Sequence, residues 1–439
     1  MTRATTLSGS RHPVLLPGGY ANIRIRNVVV GRKVQVRFEH RAIPIVVAAA
    51  AIDVIGFGII SPVLPRLVTG LGHLDLPAAT RVGGWLLATF ALAQFFAGPI
   101  IGNLGDRFGR RPVLLACMLA FAVDYGVQAV APTLTWLFVG RAIAGVTGAI
   151  YGPAGAVIAD VSPPDKRAAS YGLLGAAFGI GFVVGPALGG LVATWGVRVP
   201  FIVAGALALS NAVVMFFLLP ETLGKENRRP FSLREANVVA AFRPLFAAGN
   251  AAPLLIAWFL WQLGSVVYPA TWSFWATIRF GWDATAIGWS LAWVGLLMGI
   301  VQVALTGRVV ARLGERRAGV LGLACGASCI LAYAFVTRGW QVYAFFPVGA
   351  LGAFAWPALN GLLSRMTGAD RQGALQGGIG SLNSVAAIFG PLIATQSLAF
   401  GARRGFDGAA FLVAGLLIGA AAAIIGLLVR PSPPAPAAG

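Results

Sequence analysis

The chain is expected to fold as an all-α polytopic membrane protein, with twelve transmembrane helices in two six-helix pseudo-symmetric halves. Composition is the first ground: 58% of the 439 residues are hydrophobic and 11% charged, where a soluble domain carries about 25% charged residues. Length is the second, because apolar runs of about 18 residues or more recur, each able to cross a core of roughly 30 Å as a helix. An internal repeat is the third. Gly102 recurs as Gly307, Asp165 as Asp370, Gly172 as Gly377 and Gly185-Pro186 as Gly390-Pro391, all 205 residues apart, and Pro153 recurs as Pro357.

Residues 1–41 form a basic tail. They hold Arg3, Arg11, Arg24, Arg26, Arg32, Lys33, Arg37 and Arg41 against the single acid Glu39. No apolar core with a small-residue cleavage site is present, so the segment is a poor secretory signal. A cytoplasmic tail is expected.

The first half occupies 42–220, with spans near 43–66, 82–103, 112–131, 134–158, 169–194 and 199–219. Residues 221–250, rich in Glu, Lys and Arg, are a polar cytoplasmic linker. The second half occupies 251–430, with spans near 251–275, 285–308, 317–336, 340–364, 373–399 and 408–429. A Pro/Ala-rich tail closes the chain at 431–439. With the N-terminus inside, 25 of the 33 Lys and Arg fall in cytoplasmic segments, while Arg66, Arg81, Arg198, Arg279, Arg338, Arg403 and Arg404 fall outside. That bias predicts both termini in the cytoplasm. It also explains the net charge of +19 without nucleic acid, because the basic residues sit in short loops between apolar runs. Two parallel repeats imply a substrate site near the midplane between the halves, worked by rocking.

Charges at depth are expensive and invite functional readings. Asp53 lies about fifteen ångströms into the first helix at 1.5 Å per residue and is the first choice for proton or substrate coupling. Asp124 and Arg141 flank the turn near Pro132 at equal depth. They are either a structural ion pair or an acid tuned by a guanidinium, which cannot carry the proton itself. The polar in-span residues Gln94, Gln262, Gln302, Asn360, Gln376 and Asn383 are candidates for a central cavity. Trp272, Trp275 and Trp356, with Tyr151, Trp289 and Trp293, would wall it for an aromatic amphipathic drug; interfacial belts are the competing place for Trp272 and Trp275. Gly181, Gly185, Gly189 and Gly190 line one side of the fifth helix beside Pro186 and permit close helix packing. Cys117, Cys325 and Cys329 lie in apolar segments and imply no disulfide framework. His12, His40 and His73 are too scattered for a metal site. No phosphate-cradling loop and no nucleophile–base pair emerges, so neither ATP drive nor an enzyme is expected.

The loop Gly102-Asn-Leu-Gly-Asp106-Arg107-Phe-Gly109-Arg110-Arg111 resembles the signature of the major facilitator superfamily. The strings from Asp53 to Pro65, from Gly140 to Gly148 and from Gly181 to Gly190 resemble its drug/proton antiporters. Arg279-Phe-Gly-Trp282 and Gln372-Gly-Ala-Leu-Gln376-Gly resemble the tetracycline/proton antiporters. The resemblance implies the major facilitator fold in a bacterial inner membrane and proton-coupled drug efflux by a monomer. It implies no resident cofactor, and a divalent cation travelling with a tetracycline. It also implies that the Asp106 loop, with Asp160 at the end of the fourth helix, latches the halves on the inside. The sequence departs from that subgroup at Gly326 and Met298, where several members carry an aspartate and a histidine. Export of another metabolite, or sensing without transport, are the alternatives.

Overall fold

The structure, a computed structural model, describes residues 40–163, 166–231, 251–366 and 372–429. Most of the basic tail, Asp165, Asp370, the linker from 232 to 250 and the Pro/Ala-rich tail lie outside the described residues.

Among the described residues twelve long helices follow one another. In the first half they are α1 (Ala42–Gly72), α2 (Leu76–Phe108), α3 (Arg110–Val130), α4 (Leu134–Val161), α5 (Arg167–Val192) and α6 (Val199–Leu218). In the second they are α7 (Ala252–Phe280), α8 (Ala284–Ala304), α9 (Thr306–Tyr333), α10 (Gly339–Met366), α11 (Gln372–Ala402) and α12 (Ala409–Leu428). Eleven are long and apolar enough to cross a membrane. The exception is α9, which is kinked at Gly314 (φ 75°) and carries Arg308 and Arg312 before the kink and Glu315, Arg316 and Arg317 just after it. The span read from residue 82 begins earlier, at Leu76, because Asp75 caps the helix by accepting from the Ala78 N–H at 2.7 Å. Arg66 and Arg81 accordingly lie in α1 and α2 rather than in loops.

Four helices are interrupted at depth. A 3-10 turn at Ser61–Val63 breaks α1, and α7 breaks at Val266, 205 residues on. A 3-10 turn at Gly148–Ile150 breaks α4, and one at Leu351–Phe354 breaks α10. The repeat seen in the sequence is therefore also a repeat of helix breaks, and such turns inside long helices mark places where a helix is re-aimed.

Each half packs mainly within itself: α1 on α5 and α6, α3 on α6 and α2 on α4; then α9 and α7 on α12 and α9 on α10. The halves meet through α5 on α8 and α2 on α11. Their close contacts lie at the ends away from the arginine-rich loops. A Cβ on Gly84 would stand 1.9 Å from the Thr395 hydroxyl, and one on Gly190 would stand 2.7 Å from the Ala284 carbonyl. The Thr285 hydroxyl donates across the seam to the Gly190 carbonyl at 3.1 Å. Toward the basic face the same four helices lose these contacts. Among the described residues, no heavy atom beyond the helix's own backbone lies within 4 Å of a Cβ built at Gly98, Gly102, Gly175, Gly179, Gly299, Gly377 or Gly380. The halves thus close at one face and part toward the basic one.

Candidate functional site

The 3-10 turn of α4 brings Tyr151 opposite α1, where its hydroxyl lies near the Asp53 carboxylate. Breaking the helix also frees the Gly148 carbonyl, and Gln94 of α2 donates to it at 2.8 Å. A freed backbone group in an apolar setting needs such a partner. Gln94 is therefore a brace between α2 and α4.

About two turns before the break, Arg141 Nη2 stands 3.7 Å from Asp124 Oδ2, with Asp124 fully buried and Arg141 nearly so. Gln128 donates to the other oxygen, Oδ1, at 2.8 Å. Gly140 makes the approach possible, since a Cβ there would lie 2.8 Å from Oδ1. Asp124 Oδ2 and Arg141 Nε have no hydrogen-bond partner, and the guanidinium lies 5.8 Å from the Phe90 ring centroid. Beside Arg141 is a small cavity of about 30 Å³, bordered by Phe57, Ser61, Gln128 and Pro269. At its far wall Ser61 of α1 meets Ser273 of α7, hydroxyl to hydroxyl at 3.2 Å. The three deep charges named from the sequence thus gather in one half, against the closed end of the cleft. Tyr151, Gln128 and the Ser61–Ser273 contact complete the cluster. Tyr151 carried no signal beyond being aromatic, and the serines join helices 212 residues apart.

The fifth-helix motif divides its labour. Gly181, Gly185 and Gly189 face α1: a Cβ would lie 2.7 Å from Val54 Cβ, 2.8 Å from the Ile55 carbonyl and 2.2 Å from the Ile59 carbonyl. They seat the Asp53 helix directly on α5. Pro186 touches Gly58 with its ring and lends its carbonyl to the contact with Gly288. Gly190 faces α8 of the other half.

At the basic face Arg110 reaches both Asp106, at 2.5 Å, and Asp160, at 3.6 Å. Arg111 donates to the Phe216 carbonyl at 2.5 Å near the end of α6, and Arg107 lies against the Phe108 ring. Among the described residues Asp106 forms no ion pair or hydrogen bond with the second half; its partners are Arg110 and the Arg229 N–H. The beginning of the linker does close on this loop. Glu221 accepts from the Arg110 N–H at 2.9 Å and from the Arg111 N–H at 3.3 Å, capping α3. Thr222 bridges to Asp160 at 3.1 Å, and the Arg229 N–H donates to the Asp106 carbonyl at 3.1 Å. Gly109 turns the chain with φ 106°, and a Cβ there would stand 2.2 Å from Glu221 Oε2. Glu221, 111 residues from Arg110, looked in the sequence like one more linker charge.

The cavity candidates fare unequally. Trp272 and Trp275 are corrected: both are buried inside the second half, packed against Tyr333 and Phe411, neither on the cleft nor in an outer belt. Trp272 donates to Ser290 at 2.9 Å. A run of aromatics one turn apart fills a core as readily as a pocket, and periodicity does not distinguish the two. Asn383 accepts from the Trp258 indole at 2.8 Å, and Asn360 donates to its own helix at the Trp356 carbonyl. Gln302, Gln376 and Trp356 are exposed and Gln262 is half-buried. Met298 is exposed, and Gly326 packs on Gly352 where α9 crosses the break of α10. No group of three or more potential metal ligands occurs among the described residues.

The family model of the Major Facilitator Superfamily matches residues 46–391 and 263–439. The chain is 40% identical to the class C tetracycline resistance protein of Escherichia coli over 379 residues, covering 86% of this chain and 95% of that one. It is 38% identical to the class G protein of Vibrio anguillarum, covering 78% and 86%. It is 30% identical to multidrug resistance protein 2 of Bacillus subtilis, covering 77% and 84%. Among solved structures, a bacterial homologue of the human lysosomal transporter Spinster superposes with a TM-score of 0.73 at 14% identity, covering 88% of this chain and 96% of that one. A D-xylose–proton symporter superposes with a TM-score of 0.70 at 18% identity, covering 89% and 98%. The chain belongs to the Major Facilitator Superfamily and, within it, to the group of the tetracycline resistance proteins.

Proposed function

We propose that the protein exports a tetracycline-like amphipathic drug in exchange for protons, by alternating access across the inner membrane of a bacterium. The observation that carries this reading is the placement of Asp53, Asp124 and Arg141. They lie together in the first half, and the Ser61–Ser273 contact stands by the cavity beside Arg141. The arginine bias supports a cytoplasmic basic face, so the cleft opens to the cytoplasm and collects drug there. Asp53 carries the proton, and Arg141 compensates the acids as they change state. The coupling ion is the proton, the drug travels with a divalent cation, the monomer is the working unit and no chemical step is catalysed. The relatives named tetracycline resistance proteins support the substrate.

Gly326 and Met298 favour a second reading within the same mechanism, in which a different amphipathic compound is the substrate, because a proton relay through the second half has no acid or histidine there. Inverted vesicles containing the purified protein test both. Tetracycline uptake that collapses with the imposed pH gradient is expected. Absence of tetracycline flux together with gradient-driven flux of another drug selects the second reading, and absence of any flux refutes both.

A further inference from the structure

Three helix ends of the first half meet at the basic face around an open groove of about 450 Å³: the start of α1, the start of α3 and the end of α6. Two guanidiniums line it, those of Arg41 and Arg111, and the rest of its wall is apolar, with Pro44, Ile45, Phe217 and Leu218 among the side chains. Among the described residues neither arginine is ion-paired. Arg111 gives one nitrogen to the Phe216 carbonyl, and its Nε is buried with no acceptor. Arg41 is exposed, and neither α1 nor α3 has an acid in its first turn. Glu221 follows the groove in the chain, but both its oxygens already accept. One takes the N–H groups of Arg110, Thr222 and Leu223, and the other takes that of Arg111.

Two cations without counter-charges, on an apolar wall at the ends of membrane-spanning helices, match an anionic phosphate that carries acyl chains. A guanidinium takes phosphate oxygens in pairs, and basic pockets between transmembrane helices on the cytoplasmic side hold anionic headgroups. Phe217 and Leu218 are exposed beside the two charges, which gives the chains an apolar surface to lie on. The chain's own basic tail is no complement to this groove, because Arg32, Lys33 and Arg37 bring charge of the same sign. We propose that Arg41 and Arg111 hold the phosphate of an anionic phospholipid of the cytoplasmic leaflet. The lipid ties the start of the Asp53 helix to α3 and α6. All three helices belong to one half, so the site stays whole while the halves rock and the lipid travels with the first half. That last consequence rests on the alternating-access reading; the binding site does not.

The test titrates the purified protein in a neutral detergent with phosphatidylglycerol and reads the lipid it retains from the mass of the intact complex. The wild type should retain phosphatidylglycerol in preference to phosphatidylethanolamine. Arg41→Gln should weaken that retention about fivefold, the contribution of one arginine near an anionic surface, and Arg41→Lys should restore most of it. Arg312→Gln removes an exposed arginine at the basic end of the other half and should leave retention unchanged. Absence of a preference in the wild type overturns the site, as does equal retention by the wild type and Arg41→Gln. An equal loss in Arg312→Gln also overturns it, since that reports general attraction to the basic face. Inorganic phosphate at the lipid's concentration should not displace the lipid; displacement would make the groove a site for free phosphate and overturn the lipid assignment. No drug and no gradient enter this measurement. Absence of drug flux in vesicles would therefore refute the proposed transport and leave the lipid result standing.

Discussion

Asp124 and Arg141 are ion-paired at 3.7 Å without a hydrogen bond between them, and the carboxylate oxygen nearest the guanidinium accepts from no donor. Removing one member strands a buried charge, at a cost of about 3–5 kcal/mol. Arg141→Gln should therefore lower thermal stability in detergent, and Asp124→Asn combined with Arg141→Gln should recover much of the loss. If the double variant is stable yet still fails to couple drug movement to protons, the pair takes part in the cycle beyond its structural role.

Asp53 has the Tyr151 hydroxyl as a neighbour and lies on the helix seated by the α5 glycines. Asp53→Asn should insert and unfold like the wild type but lose gradient-driven uptake to the level of empty vesicles. Tyr151→Phe, which removes only the hydroxyl, should weaken coupling less than Asp53→Asn. Gradient-driven uptake at the wild-type rate by Asp53→Asn would remove that carboxyl from the mechanism.

Gly189 has no room for a methyl, because the obstacle is the Ile59 backbone carbonyl at 2.2 Å and not a side chain that can turn away. Overpacking of this kind costs about 1–3 kcal/mol, so Gly189→Ala should lower the melting temperature. Gly152→Ala, where nothing lies within 4 Å, should not.

Glu221 caps α3 from the linker. Glu221→Ala leaves the Arg110 and Arg111 N–H groups without that acceptor and should cost about 1 kcal/mol, as lost N-terminal caps do. Gly109→Ala should cost more than that, since it adds a strained φ of 106° to a collision with the same carboxylate. Thermal unfolding of the two variants checks the order.

Ser61 and Ser273 join the halves at the closed face, so a disulfide placed there should hold the cleft open to the basic face. Ser61→Cys with Ser273→Cys should transport when reduced and stop when oxidised, with activity returning on reduction. Full activity in the oxidised, cross-linked protein would exclude this contact from the moving seam.

Much of the architecture was legible in the sequence because membrane spans are written in composition and length: the helices follow from apolar runs, and the halves from a repeat that Gly102 and Gly307 share. The α5 glycines were legible as packing residues, since small side chains four apart leave one face of a helix bare. What escaped was rotational or long-range. Trp272 and Trp275 look the same to a periodicity argument whether they face a cleft or a neighbouring helix of their own half. Gln94 revealed its role only once the α4 break exposed a carbonyl for it. Glu221 and Arg110 are brought together by the path of the linker, which charge counting does not trace.

Gly189 and Gly190 are consecutive residues answering to different processes. Gly189 rests on α1 in a seam made once, when the first half folds. Gly190 rests on α8 in a seam that transport must part and remake on every turnover. The second is made of bare backbone with one hydroxyl across it, so little is desolvated or unpaired when it separates, and individual atom contacts yield only about 0.1–0.2 kcal/mol each. A methyl at one position should show up in a melting curve, and a methyl at its neighbour in the share of time the carrier spends facing each side.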